Sequence, residues 1–372
     1  GVDDLIVDLL WLRCWLRRVL FRHPPLATPP AAGFDALPEK RIAIFVPLWR
    51  EHDVIVEMLA HNIAQICYRE YDFFVGVYPN DRATVDAVDS AERRFGNVHM
   101  ALCPHDGPTS KPDCLNWIYQ CMLGFEAREG VRFDIVVTHD AEDLIHPESL
   151  RCFNHYCSDF GFVQIPVLAL RTPLLALTHG VYCDEFAEFQ TRDLPVRNQT
   201  GAFVPSAGVG TAYSREALEL LAASDGDRIF DPGCLTEDYE NGCRLHSLGV
   251  RQLFVPVADP KAPVATREFF PQRLKPAIRQ RTRWVTGIAL QGWERHGWRG
   301  GFRQAYWFWR DRKGLVASPL GLLTNIMCAY GLATRMWDRV TPPENVSRLL
   351  AWTLLFQVIH LTVRMYCTGR LY

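Results

Sequence analysis

The chain has 372 residues, a formal net charge of −2 and 48% hydrophobic residues. That length suits one large or two ordinary domains, and the near-neutral balance offers no global basic field for nucleic acid. The twelve cysteines include no Cys-x-x-Cys pair, which argues against a zinc site or a disulfide framework and for reduced thiols in a cytosolic compartment.

Residues 5–22 have a helical period, with Leu5, Leu9, Leu12, Leu16 and Leu20 near one face and Arg13, Arg17, Arg18 and Arg22 on another. Interrupting arginines argue against a spanning helix and for one lying in a membrane interface, or packed on a domain. Residues 23–38 are rich in Pro and Ala and read as a linker. From residue 41 onward strand and helix patterns alternate: strand 41–46, helix 54–66, strand 73–78, helix 84–95, strand 98–102, helix 114–128, strand 133–138. This predicts an α/β domain with a parallel sheet, whose ligands lie at the carboxyl ends of its strands. The second half is less regular: strand 162–167, a helix near 175–193, a Gly-rich segment 201–210, a helix near 236–248, strand 250–257 and long helices within 268–296. Residues 302–309, rich in Trp and Phe, read as an interfacial helix. Residues 319–334 and 349–363 are apolar and read as a membrane hairpin around Pro342-Pro343, or as buried core helices. Arg299, Arg303, Arg310, Arg312 and Lys313 before it, and Arg364 and Arg370 at its end, place both outer ends in the cytoplasm. The expected division is an interfacial helix and linker (1–38), a catalytic domain (39–300), an interfacial helix (301–317) and a membrane hairpin (318–372) in a fragment of a longer chain.

Several short motifs fall where this pattern puts a ligand. Val46-Pro47-Leu48-Trp49-Arg50-Glu51 closes the first strand and Tyr78-Pro79-Asn80-Asp81 the second. Pro47 ends the ladder, Glu51 sits at the carboxyl edge, and Asp81 can accept a hydrogen bond from a base; both turns also read as ordinary surface turns. Lys111 opens a helix, where it can meet a phosphate or simply be solvated. Asp140, Glu142 and Asp143 in His139-Asp140-Ala141-Glu142-Asp143 repel one another without a cation, and Asp140 with Glu142 can hold Mg²⁺ or Mn²⁺; a solvated acidic loop is the alternative. Thr236-Glu237-Asp238 opens another helix, as a capped first turn or as the site of a base. In Gln280-Arg281-Thr282-Arg283-Trp284, helical spacing puts Gln280, Arg283 and Trp284 on one face. The combination suits transfer of a sugar from a nucleotide diphosphate. A metal offsets the leaving charge, a carboxylate takes the acceptor proton, and arginines and an aromatic face receive phosphate and sugar.

In their order and separation these residues resemble the inverting glycosyltransferases of family 2, in particular the membrane-embedded, often processive branch that includes cellulose and hyaluronan synthases. The phrases HDAEDLIHP, LTEDYENGCRLHSLG and RQRTRWVTGIALQGW carry the likeness over residues 40–300 plus the hairpin. The resemblance implies a GT-A fold, Rossmann-like, with a nucleoside-diphosphate sugar donor and a divalent metal. By position, Pro47, Glu51, Asp81, Lys111 and Asp140 look like donor contacts. Asp140 and Glu142, or Asp143, look like the metal-binding DxD. Asp238, with Glu237 beside it, looks like the catalytic end of TED. Thr236, Gln280, Arg281, Arg283 and Trp284 resemble the diphosphate and acceptor set. Further implications are a polysaccharide or lipid acceptor, residence in the bacterial inner membrane, an outer-envelope export partner, and control by cyclic di-GMP. No Arg-x-x-x-Arg cluster joined to a small β-domain is visible, so any such control is expected from a domain outside the fragment. The competing readings are a non-catalytic receptor or signalling subunit on the same fold and a non-processive lipid glycosyltransferase.

Overall fold

The run Ile42–Pro47 is apolar throughout and has the length of a strand buried on both faces, and it forms an interior strand of the sheet. A computed structural model of the chain describes residues 2–21, 34, 37–173, 175–338 and 343–372. Most of the linker 23–38 and the residues up to Pro342 at the hairpin turn lie outside them, as does the side chain of Arg18.

The first half alternates β1 (Ile42–Pro47), α2 (Ile55–Gln65), β2 (Tyr71–Val77), α3 (Arg82–Arg94), β3 (Val98–Leu102), α4 (Lys111–Glu129) and β4 (Ile135–Thr138), preceded by α1 (Val2–Phe21). There follow α5 (Ser149–Tyr156), β5 (Phe162–Gln164), β6 (Val167–Ala169), α6 (Leu177–Glu188), α7 (Leu194–Gln199), β7 (Thr211–Ser214), α8 (Arg215–Ser224), α9 (Glu237–Ser247), β8 (Gln252–Phe254), β9 (Thr266–Glu268), α10 (Leu274–Trp284), α11 (Gly292–His296), α12 (Gly301–Arg312), α13 (Gly314–Asp338) and α14 (Glu344–Leu371). Seven strands run β3-β2-β1-β4-β7-β5-β8, and β6 pairs with β9 in a second, two-stranded sheet. Register Ile42↔Tyr71 and Ile42↔Ile135 aligns β1, β2 and β4, so their carboxyl ends open on one edge.

The expectation of a parallel sheet needs one correction. β7 is antiparallel to both β4 and β5. It runs back across the sheet directly after the Gly-rich segment and delivers that segment to the carboxyl edge of β4, where Gly210 N–H donates to Thr138 O at 3.0 Å. The predicted strand 162–167 splits at Pro166, which has no N–H for a ladder. Residues beyond it pair with β9 instead, and this pairing postpones the predicted helix at 268 until Leu274. The helix near 175–193 passes through a π-helical stretch, Phe189–Asp193, into α7.

Two apolar layers sandwich the large sheet. Ile44, Val46, Leu59, Phe73 and Phe153 fill one side, and Phe45, Phe74, Ile118, Phe133 and Leu218 the other. On the second side, Asn116 of α4 accepts the N–H groups of Ile229 and Phe230, each at 3.0 Å, and donates to Phe230 O at 2.8 Å. One fully bonded side chain thereby fixes the segment that leads into α9.

α13 and α14 are each long and apolar enough to cross a membrane, and in neither is the apolar window buried by the rest of the chain. Among the described residues they do not pack along each other: α14 lies on α6 and α1, and α13 continues from α12. α12 has one exposed and one buried face. Phe302 is 87% exposed, whereas Trp307 and Phe308 are buried against the catalytic domain. It is fastened by Arg197, 1% exposed, which donates to both oxygens of Asp311 at 2.9 and 3.0 Å and to Phe203 O at 2.8 Å. Asp311 also accepts the Tyr239 hydroxyl of α9 at 2.7 Å.

A charge left unpaired in that position is costly, about 3–5 kcal/mol. Asp311→Ala should therefore lower the thermal midpoint sharply, while Tyr239→Phe, which removes one hydrogen bond, should cost about 1 kcal/mol. Equal midpoints for the two variants would show that the buried pair does not hold α12 in place.

Candidate active site

The carboxyl ends of β1, β2 and β4 converge with the first turns of α4 and α9 on one cleft. Pro47 is the last residue of β1, and the chain then turns through Arg50, whose φ is +60°. Asp81, 9% exposed, stabilises that turn by accepting the Arg50 N–H at 2.6 Å. Glu51 N–H donates to Thr84 Oγ1 at 3.2 Å. The structure thus brings Pro47, Glu51 and Asp81 together, and part of Asp81 is engaged in shaping the loop. Burial, then the charges of Asp140 and Asp81, raise the Glu51 carboxyl above its ordinary range.

Lys111 at the start of α4 donates to Asp140 Oδ1 at 2.5 Å. Burial opposes its charge, but Asp140, Glu237 and Asp238 together outweigh that and hold it protonated. Asp140 N–H donates to Asp143 Oδ2 at 3.0 Å, and the same oxygen meets His139 Nδ1 at 2.8 Å. Asp143 is completely buried, behind the loop, whereas Glu142 is exposed at the rim. Burial depresses the His139 imidazole to about 3, so it is neutral, and its Nδ1 shares the hydrogen bond with Asp143 Oδ2. Desolvation in the cleft, then Asp140, Asp143 and Glu51, push the Glu142 carboxyl up to about 7. Such crowding is what a bound cation relieves. Among the described residues no ready cluster of three His, Cys, Asp or Glu ligands stands assembled.

Thr236 occupies the N-cap position of α9 but makes no capping bond, and its hydroxyl has no partner. Its side chain instead fills the space that a Cβ on Gly287 would need. Gly287 lies in the π-helical turn Val285–Gln291 that continues α10, and Gln291 Oε1 accepts the Leu235 N–H at 3.0 Å. Two predicted motifs are therefore packed directly on each other. Burial, then Asp238, raise the buried Glu237 carboxyl to about 7. Asp238 is half-buried; burial raises its carboxyl, and Lys111 and Arg283 partly offset this.

Of the cluster on α10, Arg283 is exposed and within electrostatic reach of Asp238. Arg281 points elsewhere: it pairs with Glu185 at 2.6 Å and lies 4.5 Å over the Tyr182 ring. Trp284 packs edge-on to Tyr182 at 6.1 Å and beside Phe186. Gln280 Oε1 is buried without a hydrogen-bond partner.

Three residues were not singled out by sequence. Gly208, φ +79°, approaches the site so closely that a Cβ would lie 2.8 Å from Asp238 Oδ2 and 3.5 Å from Lys111 Nζ. The Gly-rich run was the only signal for it. Glu268 on β9 lies within electrostatic reach of Asp143, Asp140 and Glu142, and burial followed by those charges raises its carboxyl well above its usual range. Glu185 reaches Arg281 from α6. The latter two belong to no motif, since only the packing of β9 brings Glu268 towards the acids after β4 and only that of α6 brings Glu185 to Arg281.

A family model described as glycosyltransferase like family 2 matches residues 38–287. Bacteriophage adsorption protein B of Escherichia coli (strain K12) and Bacteriophage N4 adsorption protein B of Escherichia coli O157:H7 are each 37% identical over 363 residues, 92% of this chain and 48% of theirs. The chain thus spans about half the length of the curated relatives it matches. Among solved structures, a mannosyltransferase from Pyrobaculum calidifontis in complex with GDP-Man and Mn²⁺ superposes with a TM-score of 0.60 at 18% identity, over 99% of this chain and 96% of its own. The mixed sheet, the strand order and this neighbour define a GT-A fold, and the chain belongs to glycosyltransferase family 2.

Proposed function

We propose that the protein is a membrane-bound, metal-dependent inverting glycosyltransferase that passes a sugar from a nucleoside-diphosphate sugar, a UDP-sugar, to a growing exopolysaccharide. One observation carries this reading. Lys111 joins the acids after β4 to those opening α9, and Asp238 lies against Gly208 beside it. Donor-side and acceptor-side chemistry therefore share one cleft. The GDP-Man and Mn²⁺ of the Pyrobaculum neighbour support a nucleotide-sugar donor and a divalent ion.

Asp140 and Glu142 would hold Mg²⁺ or Mn²⁺, and a site of only two carboxylates suits an ion completed by substrate phosphates. When bound, the ion supplies charge neutralisation for the leaving diphosphate. Asp143, anchored to His139, orients the loop that carries both. Pro47, Glu51 and Asp81 would line the nucleoside side, with Lys111 beside the diphosphate. Asp238 would take the proton of the acceptor hydroxyl as it attacks the anomeric carbon, and the burial that raises its carboxyl makes it a stronger base. Glu237 beside it adds negative charge that favours proton capture. Arg283, with Thr236 and Gln280, would face diphosphate and acceptor, and Trp284 would back the acceptor through Tyr182. Arg281 would join only on exchanging Glu185 for phosphate. The two apolar helices support association with a membrane; on this reading it is the inner membrane, and the cleft would face the cytoplasm, where nucleotide sugars are found.

Replacing Asp140 and Glu142 together by Ala should abolish metal-dependent binding of a UDP-sugar, followed by calorimetry with a GDP-sugar in parallel. Unchanged affinity with and without Mn²⁺ would sink the metal assignment, and binding of the GDP-sugar alone would overturn the choice of base.

Asp238→Asn keeps the size but cannot take a proton. Transfer should fall roughly 10²-fold or more with nucleotide affinity little changed. Arg283→Lys keeps the charge but loses the planar fork, so it should weaken diphosphate binding instead. Near-normal turnover in Asp238→Asn would return the acidic turn to a purely structural role.

Placement has its own test in full-length protein stripped of native cysteines. A cysteine at Pro343 should react with an impermeant thiol reagent in intact cells, and one at the exposed Arg69 should not. The opposite pattern would invert the topology.

A further inference from the structure

A second cavity, of about 500 Å³, lies between α1, α7, the end of β8 and the C-terminal end of α14. None of the cleft residues named above lines it. Its charged side chains are Arg13, Arg17 and Arg370, with Trp11 and Trp15 among its walls, and no carboxylate contributes. α1 divides its charges by position. Asp3, Asp4 and Asp8 are consumed by the body of the protein, pairing with Lys313 at 2.5 and 2.7 Å and with Arg192 at 2.7 Å. Arg13 and Arg17, one helical turn apart and exposed, have no ionic partner among the described residues, and neither has Arg370. Like charges at that spacing repel, so the arrangement is complete only with an anion supplied from outside.

The surroundings say what kind of anion. Leu9, Leu12, Leu16 and Leu20 are exposed on α1 beside the cavity, at 56, 42, 38 and 65%. Arg364 and Arg370 follow the apolar stretch 349–363 of α14, the level at which a spanning helix meets the headgroups. Indole rings favour the same level. The cavity floor is rigid: Asn198 accepts the Phe254 N–H at 3.2 Å and donates to Gln252 O at 3.3 Å, and Trp11 Nε1 donates to Thr191 O at 3.2 Å. Guanidinium groups match phosphate oxygens in pairs.

We propose that this cavity binds the phosphate of an anionic phospholipid headgroup, and so seats α1 and the end of α14 on an acidic membrane surface. The proposal rests on the membrane placement argued above, and it concerns a site separate from the transfer cleft.

The test uses full-length protein in neutral detergent, with thermal unfolding followed on addition of phosphatidylglycerol, phosphatidylcholine or inorganic phosphate. Phosphatidylglycerol should raise the midpoint in a saturable way, and the other two should not. Replacing Arg13, Arg17 and Arg370 together by Gln should weaken that response about 10-fold or more. Replacing the exposed Arg69, Arg94 and Arg128 by Gln should leave it intact. The unfolding midpoint in phosphatidylcholine checks that the triple variant is folded. Equal responses to both lipids, or a triple variant that responds like the parent, would overturn the site; a rise with inorganic phosphate alone would make it a soluble-anion site. Flotation with phosphatidylcholine vesicles separates the two readings. Failure to float removes the membrane placement, whereas flotation without preference for phosphatidylglycerol removes only the lipid site.

Discussion

The site depends on one ammonium group. Lys111 sits between Asp140 on one side and Glu237 and Asp238 on the other, and it is the positive charge all three share. Without it, the loop after β4 and the first turn of α9 would confront each other with uncompensated carboxylates in a partly desolvated cleft. Their acids are nonetheless in excess: burial first, and neighbouring carboxylates after it, raise the carboxyl pKa values of Glu51, Glu142 and Glu237. A cleft that remains too acidic after its own lysine is counted is electrostatically prepared for another cation.

The acidic turn at α9 is positioned from three directions. Asn116 fixes the segment before it, Thr236 is seated against Gly287, and Tyr239 is tied to Asp311 on α12. The π-helical turn Val285–Gln291 is part of this arrangement. It follows Trp284 directly and presents a glycine where Thr236 needs room. Arg283 and the acids of α9 therefore share a rigid frame, while Arg281 is held off by Glu185. Glu185 in turn lies 3.9 Å from Arg364 of α14, which puts an apolar helix one side chain away from the cluster on α10.

The attachment of α1, α12 and α14 to the catalytic domain combines buried apolar contacts, as at Val7, Trp307 and Leu371, with ion pairs. Arg192, 2% exposed, meets Asp8, Glu188 and Asp193 within 2.7 Å, and Arg310 joins Asp193 to Asp3. Buried pairs of this kind specify an arrangement more than they stabilise it.

The sequence by itself determined the family and the central layers. Apolar runs of strand length separated by helical periods can be read locally, and the motifs around Asp140, Asp238 and Arg283 are contiguous words. It also determined which tail helices are apolar and which residues flank them. Tertiary structure decided the rest, because the deciding contacts join residues far apart in the chain. The reversed direction of β7, the split at Pro166, the proximity of Gly208 to Asp238, the arrival of Glu268 at the cleft and the pairing of Glu185 with Arg281 leave no periodic trace. The roles of the acids were likewise undecidable from spacing. Asp143 and Glu142 are neighbours in sequence, yet one is buried against His139 and the other exposed at the rim. Period and motif report what a segment is, whereas burial and partners depend on what the rest of the chain packs against it.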